Sequence, residues 1–337
     1  MNEPHRRRPR YSGKYPRTFE EKYKELDPEK FPETIAKVLA SGKTPAGSHV
    51  PIMVAEVLDV LALQPGETAV DMTLGYGGHA EAILRRLQAG GLLLGLDADP
   101  IELPKTEARL AGLGIGPFRV RRSNFAGLPA ALAAEGLAGA DAVLADLGVS
   151  SMQLDTPGRG FSTKLPGPLD MRMNPNRGVS AARLLQGIAP AALEELLREN
   201  ADEPHATTLA AALAGREFLL TTDLAQAIRT ALRTAPAEEQ EKSLRRVFQA
   251  IRIAVNEEFT ALDTLLRVLP SCLNPGGRAA ILTFHSGEDR RVKKAFQAGL
   301  RDGTFSLVAR DVVRASPAEC RANPRATSAK LRWAVRA

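Results

Sequence analysis

Cysteine is nearly absent from this chain of 337 residues: only Cys272 and Cys320 occur, far apart and outside any Cys-x-x-Cys pattern. That argues against a disulfide scaffold and against a zinc site, so no metal ligands are assigned. Aromatic residues make up 5% of the chain. No apolar run approaches the length of a membrane span, and the early arginines are not followed by an apolar signal core. A cytoplasmic protein with no membrane partner is therefore expected. Also missing is the last glycine of a dinucleotide loop: Gly75-x-Gly77-Gly78 is followed by Ala80 where G-x-G-x-x-G needs glycine. This disfavours a nicotinamide-dependent dehydrogenase, whose cofactor pyrophosphate rests on the full loop at a helix N-terminus.

What is present suits a globular chain with a full core. Apolar residues are 44% and charged residues 25%, with a net charge of +6. The excess of positive charge hints at an anionic partner. Residues 1–48 read as a basic extension: Arg6, Arg7, Arg8, Arg10, Lys14 and Arg17 alternate with Tyr11 and Tyr15, and Pro4, Pro9 and Pro16 discourage a helix. Such an arm suits phosphates and unpaired bases. A short helix is expected over 33–39 and a linker over 42–47.

The chain is organised around Val70 to His79. Ala69 and Val70 end a buried strand at Asp71, a glycine turn follows, and Ala80, Ile83, Leu84 and Leu87 recur at helical spacing. A second strand, Leu92 to Leu96, ends at Asp97, an acid able to accept hydrogen bonds from both hydroxyls of a ribose. Strands at 118–121, 142–145 and 278–284 end at Asn124-Phe125, Asp146 and His285. Strands alternating with helices imply a mostly parallel sheet, with ligands at the carboxyl ends of its strands. Phe305 to Val313 and Lys330 to Val335 read as a final strand pair.

Asp146 to Met173 is too polar and too rich in glycine and proline to read as a regular element, and long irregular stretches are often functional. From Ser180 to Glu241 the pattern is helical without an intervening strand, which reads as a helical insertion. Leu244 to Leu266 reads as one long apolar helix stripe, with Arg245, Gln249, Arg252 and Asn256 as its polar stripe.

Taken together, the motifs resemble the MraW/RsmH family, the cytosine-N4 methyltransferases of 16S ribosomal RNA. The resemblance rests on His49-Val50-Pro51-Ile52-Met53, Asp71-x-Thr73-x-Gly75-x-Gly77-Gly78-His79, Asp146 to Asp155, Arg159-Gly160-Phe161-Ser162 and Gly167 to Met173. Phe248 to Asn256, Phe284-His285-Ser286, Asn323-Pro324-Arg325 and Ser328 to Arg332 extend it to the C-terminus. It implies a class I S-adenosylmethionine-dependent methyltransferase fold: a Rossmann-like α/β domain over 49–154 and 244–337, with an RNA-recognising helical insertion over 155–243. By motif position the cofactor ligands would be Gly77, Gly78, His79, Asp97, Phe125, Asp146 and Gln153. Five departures stand out: Met72 where the family has glycine, Ala80 for serine, Gly287 for leucine, Glu241 to Arg246 for the usual His-Pro-x-Thr-Arg, and the basic extension itself.

Methyl transfer from a sulfonium is an in-line displacement, so the enzyme mainly aligns nucleophile, carbon and sulfur. Cytosine N4 is a poor nucleophile, and polar acceptors help by orienting its N–H groups and taking the proton. The candidates for that role are Asp146, Ser150, Ser151, Asp170 and His285, with Asp146 and Asp170 expected to converge on the acceptor pocket. No Asp-Pro-Pro-Tyr follows the fourth strand, so the geometry of other amino-methyltransferases does not transfer. The expected partner is ribosomal RNA in the small subunit or its precursor, and a homodimer is left open. A paralogue acting on another RNA cytosine and a non-catalytic RNA-binding assembly factor are the competing readings.

Overall fold

The computed structural model describes residues 51–337. The basic extension over 1–48, with its expected helix and linker, lies outside the described residues, as do His49 and Val50. Helix α1 (Val54–Leu61) leads into strands β1 (Thr68–Asp71), β2 (Leu92–Asp97), β3 (Phe118–Arg122) and β4 (Ala140–Asp146). Helices α2 (Gly78–Leu87), α3 (Leu103–Leu113) and α4 (Leu128–Ala134) connect them in turn. After a long helical stretch come β5 (Leu273–Thr283), β6 (Phe305–Val308) and β7 (Lys330–Arg336). The sheet order is β3-β2-β1-β4-β5-β7-β6. The first five strands run parallel, and β7 is antiparallel to both neighbours. Among the described residues no helix is long and apolar enough to cross a membrane.

The pattern of burial explains this sheet. Successive strand side chains face opposite sides, and both sides are covered. Val70, Leu94, Val143 and Ile281 enter one core, while their neighbours Ala69, Leu93, Leu144 and Leu282 enter another. Strands buried on both faces read as continuous apolar runs. The order leaves β1 in both directions, through β2 on one side and β4 on the other. A crevice therefore opens at the carboxyl ends of β1 and β4, where doubly wound sheets place their ligands.

Between β4 and β5 lie α5 (Ser151–Asp155), α6 (Ala181–Gly187), α7 (Pro190–Ala201), α8 (Ala206–Leu213), α9 (Thr221–Ala231), α10 (Ala237–Asn256) and α11 (Glu258–Cys272). A third core joins α6 to α9 through Leu185, Leu193, Leu209 and Ile228. Val247 and Ile251 of α10 belong to this core, whereas Leu262 and Leu265 of α11 pack against the sheet.

Four elements differ from their expected form. The single helix expected over Leu244 to Leu266 is two helices, because Glu257 is left-handed at φ 52. Asn256 fixes the break: its Nδ2 donates to Met171 O and its Oδ1 accepts from Met173 N. Second, the stretch after Asp146 is not wholly irregular. Ser150 and Gln153 form a reciprocal capping box that starts the short helix α5. Third, β5 begins at Leu273 rather than Arg278, and Asn274 to Gly277 are absorbed where its pairing with β4 slips register. Fourth, beyond helix α12 (Ser286–Arg301), which follows β5 as the apolar spacing of Val292, Ala295 and Phe296 implies, the segment before β7 holds a short helix α13 (Pro317–Ala322). Ser316 caps α13 and Pro317 opens it, and β6 stops at Val308, leaving Val313 a single bridge to Leu331.

Candidate active site

The glycine turn is built by its neighbours. Gly77 is left-handed at φ 83, and a Cβ there would lie 2.9 Å from the Thr106 methyl. A Cβ on Gly78 would lie 2.8 Å from the Pro51 ring, so the Pro51 and Gly78 motifs require one another. Gly75 donates its N–H to Asp97 Oδ2 at 2.7 Å, and Asp99 donates to Asp97 Oδ1 at 2.8 Å. The turn after β1 is thereby pinned to the acid that ends β2. Burial, then the charge of Asp99, pushes the Asp97 carboxyl up, against the backbone donors that stabilise its anion.

Asp97 opens into a cavity of about 930 Å³ together with Met72, Thr73, Phe125, Gly148 and Gln153. Phe125 stands where β3 has ended, at the start of a short 3-10 turn that follows Asn124. Of the expected cofactor residues, Asp97, Phe125 and Gln153 line this cavity; Gly77, Gly78, His79 and Asp146 line a smaller one beside it. Met72 is buried in the wall of the larger cavity.

Two residues that are not among the expected site residues, Asp99 and Arg159, anchor the site. Asp99, only 2% exposed, accepts from Gln153 Nε2 at 3.1 Å and from Arg159 Nη1 at 2.7 Å. Arg159 Nη2 also donates to the carbonyls of Arg172 and Met173. Gln153 Oε1 in turn accepts from Ser150 N at 3.1 Å. Gln153 thus ties the residue just beyond β2 to α5, and the Arg159 guanidinium ties it to the loop at Arg172 and Met173. The Arg159-Gly160 motif carries a geometric signal as well. Gly160 is left-handed at φ 77, and a Cβ there would meet the Pro168 carbonyl and Asp170 N, so only glycine lets these two chains cross.

The smaller cavity, of about 350 Å³, shares Thr73, Gly75, Leu147, Gly148 and Ser150 with the larger one. Asp71, His79, Asp146 and His285 line it. Asp146 is set in place by its own N–H, which donates to Thr73 Oγ1 at 2.6 Å, while Thr73 N donates to Asp71 Oδ1 at 3.1 Å. His79 Nε2 lies 3.5 Å from Asp146 Oδ2 without the geometry of a hydrogen bond. Both His79 Nε2 and Asp146 Oδ1 are buried and make no hydrogen bond within the chain. Burial pushes the Asp71 carboxyl up to about 6, against the opposing influence of His79. Burial by itself would lower the His79 imidazole, but Asp146, Asp71 and Glu319 outweigh it and hold the ring above its ordinary value. A buried imidazole between two carboxylates is an arrangement that can hold and pass a proton.

His285 lines the same cavity from the end of β5. Its Nδ1 accepts from Glu288 N at 3.4 Å, and its Nε2 lies 3.1 Å from Glu288 Oε1 off the hydrogen-bond axis. Gln249 and Arg252 of the α10 polar stripe reach this cavity and Asn256 reaches the larger one, while Arg245 is exposed and lines neither. Arg252 is clamped by Glu258 through two bonds of 2.8 Å.

The remaining candidates divide. Ser150 lines both cavities, and its Oγ accepts from Gln153 N. Ser151 opens α5, and its side chain lies outside what the structure describes. Asp170 lines neither cavity, whereas Asp146 lines the smaller one. Its carboxylate is held by Arg172, with Nε at 2.8 Å from Oδ1 and Nη2 at 2.7 Å from Oδ2. The expected convergence of the two aspartates is therefore absent, because the arginine two residues on captures the second one.

A model of the MraW methylase family matches residues 46–337. The ribosomal RNA small subunit methyltransferase H 1 of Agathobacter rectalis is 49% identical over 344 residues, covering 99% of this chain and 98% of that protein. The ribosomal RNA small subunit methyltransferase H 2 of Alkaliphilus metalliredigens is 48% identical, covering 99% of each. The ribosomal RNA small subunit methyltransferase H of Myxococcus xanthus is 41% identical over 300 residues, covering 84% of this chain and 96% of that protein. The first two alignments leave almost none of the amino-terminal 48 residues out.

Proposed function

The chain belongs to the MraW methylase family, and from that premise we propose that it methylates the N4 amino group of a cytosine in 16S ribosomal RNA. One observation carries this reading: two cavities share a wall, one holding the ribose acid and the other the unpartnered polar atoms. S-adenosylmethionine, the cofactor, supplies an electrophilic methyl carbon. The residues of the larger cavity fit it: Asp97 would accept ribose hydroxyls and Phe125 would cover the adenine.

The smaller cavity suits a single base turned out of its stack. Asp146 Oδ1 is a buried acceptor in want of a donor, and a cytosine amino group offers two N–H donors. Accepting one of them orients the nitrogen lone pair along the line of transfer and stabilises the positive charge that builds on N4. As that charge builds, Asp146 takes the proton, with His79 beside it to share the load. His285, braced by Glu288, borders the base. Arg252 forms part of the wall and stays paired with Glu258.

The test is nucleoside mass spectrometry of small subunits from a strain lacking the enzyme, before and after adding the purified protein with S-adenosylmethionine. N4-methylcytidine at one position is the expected product. Asp146→Asn is expected to bind the cofactor in calorimetry and lose turnover by about 10²–10⁴-fold, the range for one acid–base group. A methyl group on another base, or none despite cofactor binding, overturns the assignment. The mapped position also separates a 16S enzyme from a paralogue acting on another RNA cytosine.

A further inference from the structure

Two exposed ion pairs involve residues in the lining of the smaller cavity or within about one helical turn of it. Arg325 lines that cavity, and its Nη2 lies 3.2 Å from Asp155 Oδ1. Ser286 directly follows the lining residue His285 and donates its hydroxyl to Asp202 Oδ2 at 2.9 Å. Arg290 Nη2 donates to the same carboxylate at 3.0 Å and 3.1 Å. Arg246, one helical turn before the lining residue Gln249, is close enough to act on Asp202 through its charge.

These pairs are poor structural fasteners. The Arg290 and Asp202 side chains are 54% and 51% exposed, so water and salt screen their attraction. They are well suited to exchange. A phosphodiester offers arginine the same paired oxygens as a carboxylate. A base turned out of a single strand into this cavity leaves its flanking phosphates at the rim.

Resting on the reading that this cavity receives an RNA base, we propose that Arg290 with Ser286, and separately Arg325, bind the phosphates that flank the target nucleotide. Asp202 and Asp155 are their built-in counter-ions, displaced when the strand arrives. They hold the arginines extended at the rim and set a threshold against weakly bound anions.

The experiment measures affinity for small subunits from the deletion strain across a potassium chloride series. Arg290→Gln and Arg325→Gln are each expected to weaken binding and to reduce the slope of log affinity against log salt by about 0.7–0.9, one phosphate contact apiece. Asp202→Asn is the discriminating variant, because asparagine tolerates the left-handed backbone at this position, φ 49. It is expected to tighten binding severalfold, and to lose that gain in the Arg290→Gln background. A structural fastener would show the opposite sign. Unchanged or weaker binding by Asp202→Asn, or an unaltered salt slope in the arginine variants, overturns the proposal. Calorimetric affinity for S-adenosylmethionine serves as the folding control, since none of these residues lines the larger cavity. If no cytosine is methylated while these slopes hold, the enzymatic reading fails and the phosphate surface stands; slopes that fail beside intact methylation remove the surface alone.

Discussion

Asp146 and Asp170 have the same side chain and opposite fates. Asp146 faces a cavity with one oxygen unpartnered. Asp170 accepts two side-chain bonds and one backbone bond from Arg172. Burial would raise the Asp170 carboxyl, but the Arg172 bonds outweigh it and hold it below its ordinary value. A carboxylate so engaged stabilises its loop. Asp170→Asn is therefore expected to lower stability by about 1–2 kcal/mol, the scale of a lost charged hydrogen bond with part of its fork retained. Turnover per folded molecule should stay near wild type. Urea unfolding beside steady-state kinetics checks both; a hundredfold fall in turnover with unchanged stability would return Asp170 to the chemistry.

At the scale of elements, the departure at Gly287 has a packing partner. A Cβ on Gly287 in the first turn of α12 would lie 2.6 Å from Phe259 Cζ in the first turn of α11. The Phe259 ring fills the place of a side chain at 287, with the Arg291 guanidinium stacked 3.7 Å over it and the His285 ring 5.8 Å away. Gly287→Leu alone is expected to cost about 1–3 kcal/mol through overpacking. Adding Phe259→Val should recover part of that loss. A double-mutant cycle gives the coupling, and strictly additive effects would show that the two positions do not share this space. The helix break at Glu257 belongs to the same region, since α11 must turn away from α10 to bring Phe259 there.

For the molecule as a whole, the buried group at the strand ends links protonation to stability. Folded Asp71 keeps its proton to about 6, whereas an unfolded aspartate releases it near 3.9. Between those values the folded state binds more protons, so this contribution falls as pH rises, by roughly 3 kcal/mol in all. His79, held above its ordinary value, acts in the same direction: its contribution is complete below about 6.5 and is lost as pH rises through the folded value. Asp71→Asn removes the first contribution. Relative to wild type, the variant should gain stability between pH 4.5 and pH 7.5, read from urea midpoints at each pH. A difference between the two proteins that does not move with pH would show that Asp71 titrates normally.

Strand ends, the glycine turn and the acid at position 97 were legible in the chain itself, because side-chain alternation and turn residues act within a few neighbours. The same local logic located Asp146 and the helices beyond it. It could not find the rivet between Arg159 and Asp99, which are 60 residues apart. Nor could it show that Thr73 would position Asp146 across 73 residues. The break at Glu257 carries no glycine or proline, and it arises only when Asn256 reaches a loop 83 and 85 residues earlier. Arg172 beside Asp170 was visible in the sequence, but whether that pair would face a cavity or close on itself depended on where the folded loop ran. Local propensity determined which segments form and where they end; long-range packing and hydrogen bonding decided which of their side chains meet, and which are left with an unpartnered atom facing the cavity.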